Sequence, residues 1–295
     1  MARIDKVFYL LIVKPIAYLP SPFLFFIADS LYFALFYGIR YRKQVVITQL
    51  RASFPKKSEK EIHQIAKKFY RHFSDVLVET LKLIAISKQE AIKRCKIKNE
   101  ALLHQYYEQN RSVIILMGHY GNWEFITALA PQMKHQLLAL YAPLANHALN
   151  DIIRQSRERF GLQLIPKAAA RKGISEAQKM THAIIFLTDQ CPTSKQTVYW
   201  TSFLNQETAV LTGAEVYARR YDYIVLMGKM KKIKRGYYEF NFELVTKHPR
   251  DLDVGVVTDI HTKLLAQQIQ EAPEFWLWTH RRWKRKREDY VKNIN

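Results

Sequence analysis

Ser112-Val113-Ile114-Ile115-Leu116-Met117, running straight into Gly118-His119-Tyr120-Gly121-Asn122-Trp123-Glu124, is the stretch that decides how this chain is read. The first six residues are apolar and rich in β-branched side chains, the signature of a buried strand, and the two glycines mark a turn into the next helix. His119 then stands at the strand's end. On one continuous helix a spacing of five would leave His119 and Glu124 roughly 140° apart, so a pairing needs the histidine in the turn and the carboxylate in the first helical turn. An imidazole oriented by a carboxylate is a general base able to strip a proton from a hydroxyl before it attacks an acyl carbon. The carboxyl end of a strand in an open α/β sheet is also where such folds keep their sites. A hydrogen-bonded turn histidine beside a tryptophan satisfies the same spacing, so the rest of the chain has to weigh in.

Around this stretch strands and helices alternate. Gln136 to Tyr141 reads as a strand, Leu149 to Phe160 as a helix stopped by Gly161, and Leu162 to Ile165 as a strand ended by Pro166. Ala183 to Leu187 is another buried strand, with Asp189-Gln190 just past its carboxyl end, as His119 is past the first. Glu207 to Arg220 reads as a helix, Tyr223 to Met230 with Tyr237 to Val245 as a hairpin closed at Lys234-Arg235-Gly236, and Val256 to Gln270 as the last long helix. Upstream, Ser58 and Glu61 form a capping box that opens a helix with Ile62, Ile65, Phe69, Phe73, Val76 and Leu77 on its core face. The expected fold class is α/β: a mainly parallel central sheet flanked by helices, with an N-terminal membrane-associated helical segment. Residues 1–43 are expected to form the hydrophobic anchor and 44–295 a single catalytic domain.

Composition limits the partners. With 46 Lys+Arg against 26 Asp+Glu, the formal charge of +20 calls for something anionic: nucleic acid, anionic lipid or an acidic protein. Two cysteines, Cys95 and Cys191, are too few and too far apart for a disulfide framework or a zinc site. No metal is expected. Cys191 follows Asp189-Gln190, but no base is attached to it by any recognisable pattern.

From Pro15 to Ile39 the chain is mostly apolar and aromatic, flanked by Lys14 and by Arg40, Arg42 and Lys43. As a helix this segment would reach about 37 Å, enough for a bilayer core of about 30 Å. Pro20, Pro22 and Asp29 spoil a clean span, and the proline-free part from Phe23 to Ile39, about 26 Å long, suits a shallow helix as well as a crossing one. No small-residue cleavage site follows, so an anchor is expected here and not a signal peptide. Basic flanks place the body on the cytoplasmic face. Near the other terminus, Glu274 to Arg287 sets three tryptophans beside a run of cations, which reads as a contact with an anionic membrane surface. The same cluster could stack on nucleic-acid bases, but that leaves residues 118–124 without a purpose, and no nucleic acid is expected.

Taken together, these positions resemble the lipid A biosynthesis lauroyl/myristoyl acyltransferases, within the lysophospholipid acyltransferase superfamily. The family's Gly-His-x-Gly-Asn-Trp-Glu box matches Gly118 to Glu124. Its tyrosine-proline strand end, followed by a helix with an arginine before glycine, matches Tyr141-Ala142-Pro143 and Arg157 to Gly161; its Asp-Gln matches Asp189-Gln190. Its Pro-Glu-x-Trp-x-Trp-x-His-x-Arg-Trp-Lys matches Pro273 to Lys284, and its Phe-Pro turn matches Phe54-Pro55. The chain departs at Gln49-Leu50, where the family has Asn-Leu, and at Tyr199 to Asn205, where the family runs through a glycine-rich segment.

The resemblance implies transfer of a fatty acyl chain from an acyl carrier protein thioester to a hydroxyl of a lipid A precursor at the cytoplasmic face of the inner membrane. No cofactor is implied beyond the phosphopantetheine that carries the donor's thioester. It implies His119 as the base, Glu124 as the group that holds its tautomer, and Arg157 and Asp189 as further catalytic residues. Asn122 and Gln190, with the basic Lys167 and Arg171, are expected to bind substrate. A lysophospholipid or an acylated amino-acid lipid is the alternative acceptor.

Overall fold

The computed structural model describes residues 9–143, 147–193 and 196–291, so the first eight residues of the expected anchor and the last four of the chain lie outside it. Among the described residues nine strands form the framework: β1 Cys95–Ile97, β2 Val113–Met117, β3 Gln136–Tyr141, β4 Gln163–Pro166, β5 His182–Leu187, β6 Val198–Phe203, β7 Gln206–Leu211, β8 Ile224–Lys234 and β9 Tyr237–Thr246. Seven of them make one sheet in the order β1-β9-β8-β2-β5-β3-β4. Every neighbouring pair in it is parallel except the β8–β9 hairpin. The α/β, mainly parallel architecture is therefore as expected. β2 is buried along its whole length, as a central strand covered on both faces must be.

Side chains alternate across this sheet, and two apolar layers result. Ile114, Leu116, Ile184, Val225 and Met227 face one layer with helix Val256–Glu271, while Val113, Ile115, Met117, Ile185 and Leu226 face the other. The register of β2 against β5 pairs Met117 with Leu187. Each strand runs on for two residues to a polar side chain, so His119 and Asp189 emerge side by side at the carboxyl ends of adjacent strands.

Helix Glu59–Lys82 begins with the expected capping box: the Ser58 hydroxyl accepts the Glu61 N–H, and the Glu61 carboxylate accepts the Ser58 N–H at 2.8 Å. Ile62, Ile65, Phe69 and Val76 are buried, whereas Leu77 is exposed. Helix Ser21–Phe33 continues through a wider turn to Gly38, and Ser21–Gly38 is long and apolar enough to cross a membrane. It lies against Glu59–Lys82, however, and buries Leu24, Ala28 and Tyr32, one residue per turn, on that side. Phe23, Phe26, Phe33, Tyr37 and Ile39 stay exposed on the other faces.

Two expectations need correction. Residues 207–220 are not one helix: Gln206–Leu211 is strand β7, paired antiparallel with β6, and only Gly213–Tyr221 is helical. Leu204 and Asn205 turn this hairpin with positive φ, 50° and 64°, in the manner of a two-residue turn of the primed type. The tryptophans of the tail do not face a membrane surface either, although Arg281, Lys284, Lys286 and Arg287 stay exposed. Trp276 and Trp278 are 1% and 0% exposed and pack edge to face at 4.7 Å, and Arg282 is buried with them.

Candidate active site

His119 sits in the turn after β2, and helical turns from Trp123 to Gln132 follow, with Asn122 as their cap and Glu124 in the first turn. Gly121 needs its place: its φ is +64°, and a Cβ there would meet the Met230 sulfur at 2.9 Å. Gly118 passes so close to the neighbouring elements that a Cβ would lie 2.8 Å from Leu265 and 3.2 Å from Asp189.

The imidazole is held by Asp189. Its Nδ1 lies 2.6 Å from Asp189 Oδ1, and the His119 backbone N–H donates to Oδ2 at 2.8 Å. The Trp276 indole donates to the same Oδ2 at 2.7 Å. Burial alone would raise the Asp189 carboxyl, but the facing imidazole and these N–H donors outweigh it and hold the group well below the usual carboxylate range. An ionised Asp189 fixes the proton of a neutral His119 on Nδ1 and leaves the lone pair on Nε2. Trp123 packs edge to face on the imidazole at 5.4 Å.

Glu124 has a different partner from the one its spacing suggests. Among the described residues no hydrogen bond joins it to His119. Its two oxygens instead accept the Arg157 Nε at 2.9 Å and Nη2 at 2.7 Å, and the Trp123 indole donates to Oε1 at 3.2 Å. This is a bidentate, charge-assisted pair that orients the guanidinium. Arg157 lies on helix His147–Glu158, whose end is tied down by the Thr127 hydroxyl, a donor to the Arg157 carbonyl.

His119, Trp123, Glu124, Arg157 and Gln190 open onto one cavity of about 360 Å³. Its walls are mostly apolar, with Ile126, Leu140, Leu162, Leu164, Leu187, Leu211 and Tyr217 among them, and Lys167 and Gln196 add polar groups. A cleft of this size and character, with a few convergent polar groups, suits an acyl chain beside a reacting carbonyl.

Of the expected substrate-binding residues, Gln190 and Lys167 line this cavity and two do not. Asn122 is fully buried, its amide donating to Glu79 at 2.7 Å and its side-chain oxygen accepting the Glu124 N–H. It shapes the turn and does not line this cavity. Arg171 is exposed on helix Ala170–Ala177, outside the cavity lining. Trp276 is the residue that sequence reasoning placed elsewhere: it sits beneath the site, not at a lipid surface. Its signal was the family block near the carboxyl end, which gave its position but not its partner.

Behind the turn lies a second polar group. The His72 imidazole bonds the Gly121 carbonyl at 2.9 Å, and Glu79, fully buried, accepts from Asn122 and from the Tyr238 hydroxyl at 2.8 Å. Burial raises the Glu79 carboxyl to about 7 and lowers His72 to about 3, with Lys232 adding to the latter. Among the described residues no cluster of three metal-ligating side chains occurs.

Comparison with known proteins gives the same answer along nearly the whole chain. The profile of the family described as "Bacterial lipid A biosynthesis acyltransferase" matches residues 3–285. Among curated proteins, the "Lipid A biosynthesis palmitoleoyltransferase" of Escherichia coli (strain K12) is 24% identical over 268 residues, covering 90% of this chain and 86% of that protein. The "Lipid A biosynthesis acyltransferase" of Shigella flexneri matches with the same identity and coverage.

Proposed function

Because the chain belongs to the bacterial lipid A biosynthesis acyltransferases, and is thus an acyltransferase, we propose that it moves a fatty acyl chain from an acyl carrier protein thioester to a free hydroxyl of a lipid A precursor. The observation that carries this reading is the His119–Asp189 pair, joined at 2.6 Å, with its imidazole at the wall of a largely apolar cavity. The acceptor hydroxyl gives its proton to His119 Nε2 as its oxygen attacks the thioester carbonyl. Asp189 keeps the tautomer and stabilises the imidazolium that forms. Arg157, aimed by Glu124, meets the negative charge that develops on the carbonyl oxygen. As the tetrahedral intermediate collapses, the C–S bond breaks and the imidazolium returns its proton to the departing thiolate, leaving an ester and a free thiol.

The reaction takes place at the cytoplasmic face of the inner membrane. Helix Ser21–Phe33 cannot cross the bilayer while it lies along Glu59–Lys82, whose exposed face carries Lys67, Lys68 and Arg71, without dragging those charges into hydrocarbon. It therefore lies in the plane of one leaflet, with Phe23, Phe26 and Phe33 among the acyl chains and the basic side chains at the headgroups. The excess of cations also favours docking of an acidic carrier protein.

The test is direct. His119→Ala is expected to abolish transfer from acyl carrier protein while leaving circular dichroism and membrane association unchanged; Asp189→Asn is expected to lower kcat by about 10⁴-fold, because the neutral amide favours the wrong tautomer. Parental turnover by His119→Ala would end this mechanism. Mass spectrometry of lipids from a deletion strain should reveal lipid A short of one acyl chain, and an intact lipid A with another lipid class depleted would move the acceptor.

A further inference from the structure

Among the described residues, Gln190 is the one whose side chain hydrogen-bonds the reactive nitrogen of the base. Its side-chain nitrogen lies 3.3 Å from His119 Nε2. Since Asp189 fixes the Nδ1 proton, a neutral ring offers Nε2 as an acceptor, and the Gln190 amide must face it with an N–H. Asp189 holds Nδ1 and Trp123 packs edge to face on the ring, so Gln190 is placed on the side to which the Nε2 lone pair points. At 3.3 Å this N–H···N bond is just beyond the ordinary range of about 2.7–3.2 Å for hydrogen bonds, strong enough to hold a position and weak enough to yield it.

We propose that Gln190 guards the base: its amide occupies His119 Nε2 until an acceptor hydroxyl displaces it, and it then donates to that hydroxyl's oxygen, so that water is not activated against the acyl thioester. The idea rests on His119 acting as the general base. An uncovered base would drive a wasteful reaction. Water would lose a proton to Nε2 and attack the carbonyl, the C–S bond would break, and the thiolate would take the proton back, giving a free fatty acid and a thiol. Both the water and the acceptor present an O–H, so chemistry alone does not separate them. Binding does: the remote contacts of a lipid acceptor supply free energy that can be spent on moving the amide, and a water molecule has none. A hydroxyl seated there donates to Nε2 and accepts from the amide, which fixes both its place and its lone-pair direction.

The experiment uses the full-length enzyme in detergent micelles with radiolabelled acyl carrier protein thioester, measuring free fatty acid without acceptor and ester formation with a lipid A precursor disaccharide. Gln190→Ala is expected to raise acceptor-independent hydrolysis and lower transfer, increasing the hydrolysis-to-transfer ratio at least tenfold. Gln190→Asn, whose amide is one methylene short of Nε2, should do the same if the alanine variant is poorly folded. The added hydrolysis must disappear in His119→Ala/Gln190→Ala. An unchanged ratio in both Gln190 variants, including one where the two rates fall together, overturns the guard. So does added hydrolysis that survives loss of His119. His119→Ala turning over at the parental rate would instead remove the general base, and the guard with it.

Discussion

Asp189 carries more of this site than its size suggests. Its two oxygens receive the His119 ring, the His119 backbone and the Trp276 indole, so one carboxylate joins two strands to a tail segment far along the chain. Because the group is held below its ordinary value of 3.8, the native state binds fewer protons there than the unfolded chain; its stabilising effect is present above that value and fades as pH falls. Trp276→Phe keeps the ring and removes one donor to a buried charge. It is expected to cost about 1.5–3 kcal/mol, read as a lower urea midpoint at pH 7, and to lessen the loss of stability between neutral and acidic pH. The positions of His119 and Asp189 could be read from the sequence because each ends an apolar strand. Their partnership could not. Spacing within one segment pointed to Glu124, whereas the true neighbour is set by the Met117–Leu187 register, a relation between strands that local pattern does not encode. Trp276 was hidden for a similar reason: tryptophan beside arginine has the same composition at a lipid surface as in a core.

At the scale of elements, the turn that carries His119 rests on helix Glu59–Lys82. His72 holds the Gly121 carbonyl and Glu79 holds Asn122, while Asp75 takes Lys232 at 2.9 Å and Arg235 at 2.8 Å. Glu79 titrates at about 7 in the fold against an ordinary 4.5, so the native state binds the extra proton. Stability from this group is complete below 4.5 and declines as pH rises through 7, by an amount on the order of 3 kcal/mol. Glu79→Gln, which stays neutral, is expected to flatten that decline when urea midpoints are measured from pH 5 to 8. A slope equal to the parent's would show that Glu79 is ionised throughout. Elements with a strong period were legible: the capped helix, β2, β3, β5 and the β8–β9 hairpin. The β6–β7 hairpin was not, because Thr208-Ala209-Val210-Leu211 is a short apolar run separated from the following helix by Thr212 alone, and it passes for that helix's first turn. Asn205, a residue that tolerates positive φ, was the available clue.

Across the whole molecule, the N-terminal apolar segment is both surface and core. Tyr32, Leu35 and Phe36 belong to the same buried cluster as Trp276 and Ile114, and Asp29 pairs with Arg235 at 2.7 Å. Cutting the segment away would open that cluster, so membrane binding is better tested on its exposed side. Replacing Phe23, Phe26 and Phe33 with serine is expected to weaken binding to anionic vesicles by about a hundredfold or more in a flotation assay, with the melting temperature unchanged. Unchanged flotation would mean that charge alone holds the protein on the bilayer.

The tail's place in the fold also braces the turn that carries His119. The Gly121 N–H donates to the Phe275 carbonyl at 2.9 Å, the Leu277 N–H to the His119 carbonyl at 3.1 Å, and the Gln49 amide to the carbonyls of Trp278 and His280. A polypeptide cut before Trp276 would retain every strand of the sheet and lose the clasp around the histidine. Such a truncated form is expected to show no acyl transfer even where its sheet assembles, because the segment that braces the turn is the one removed.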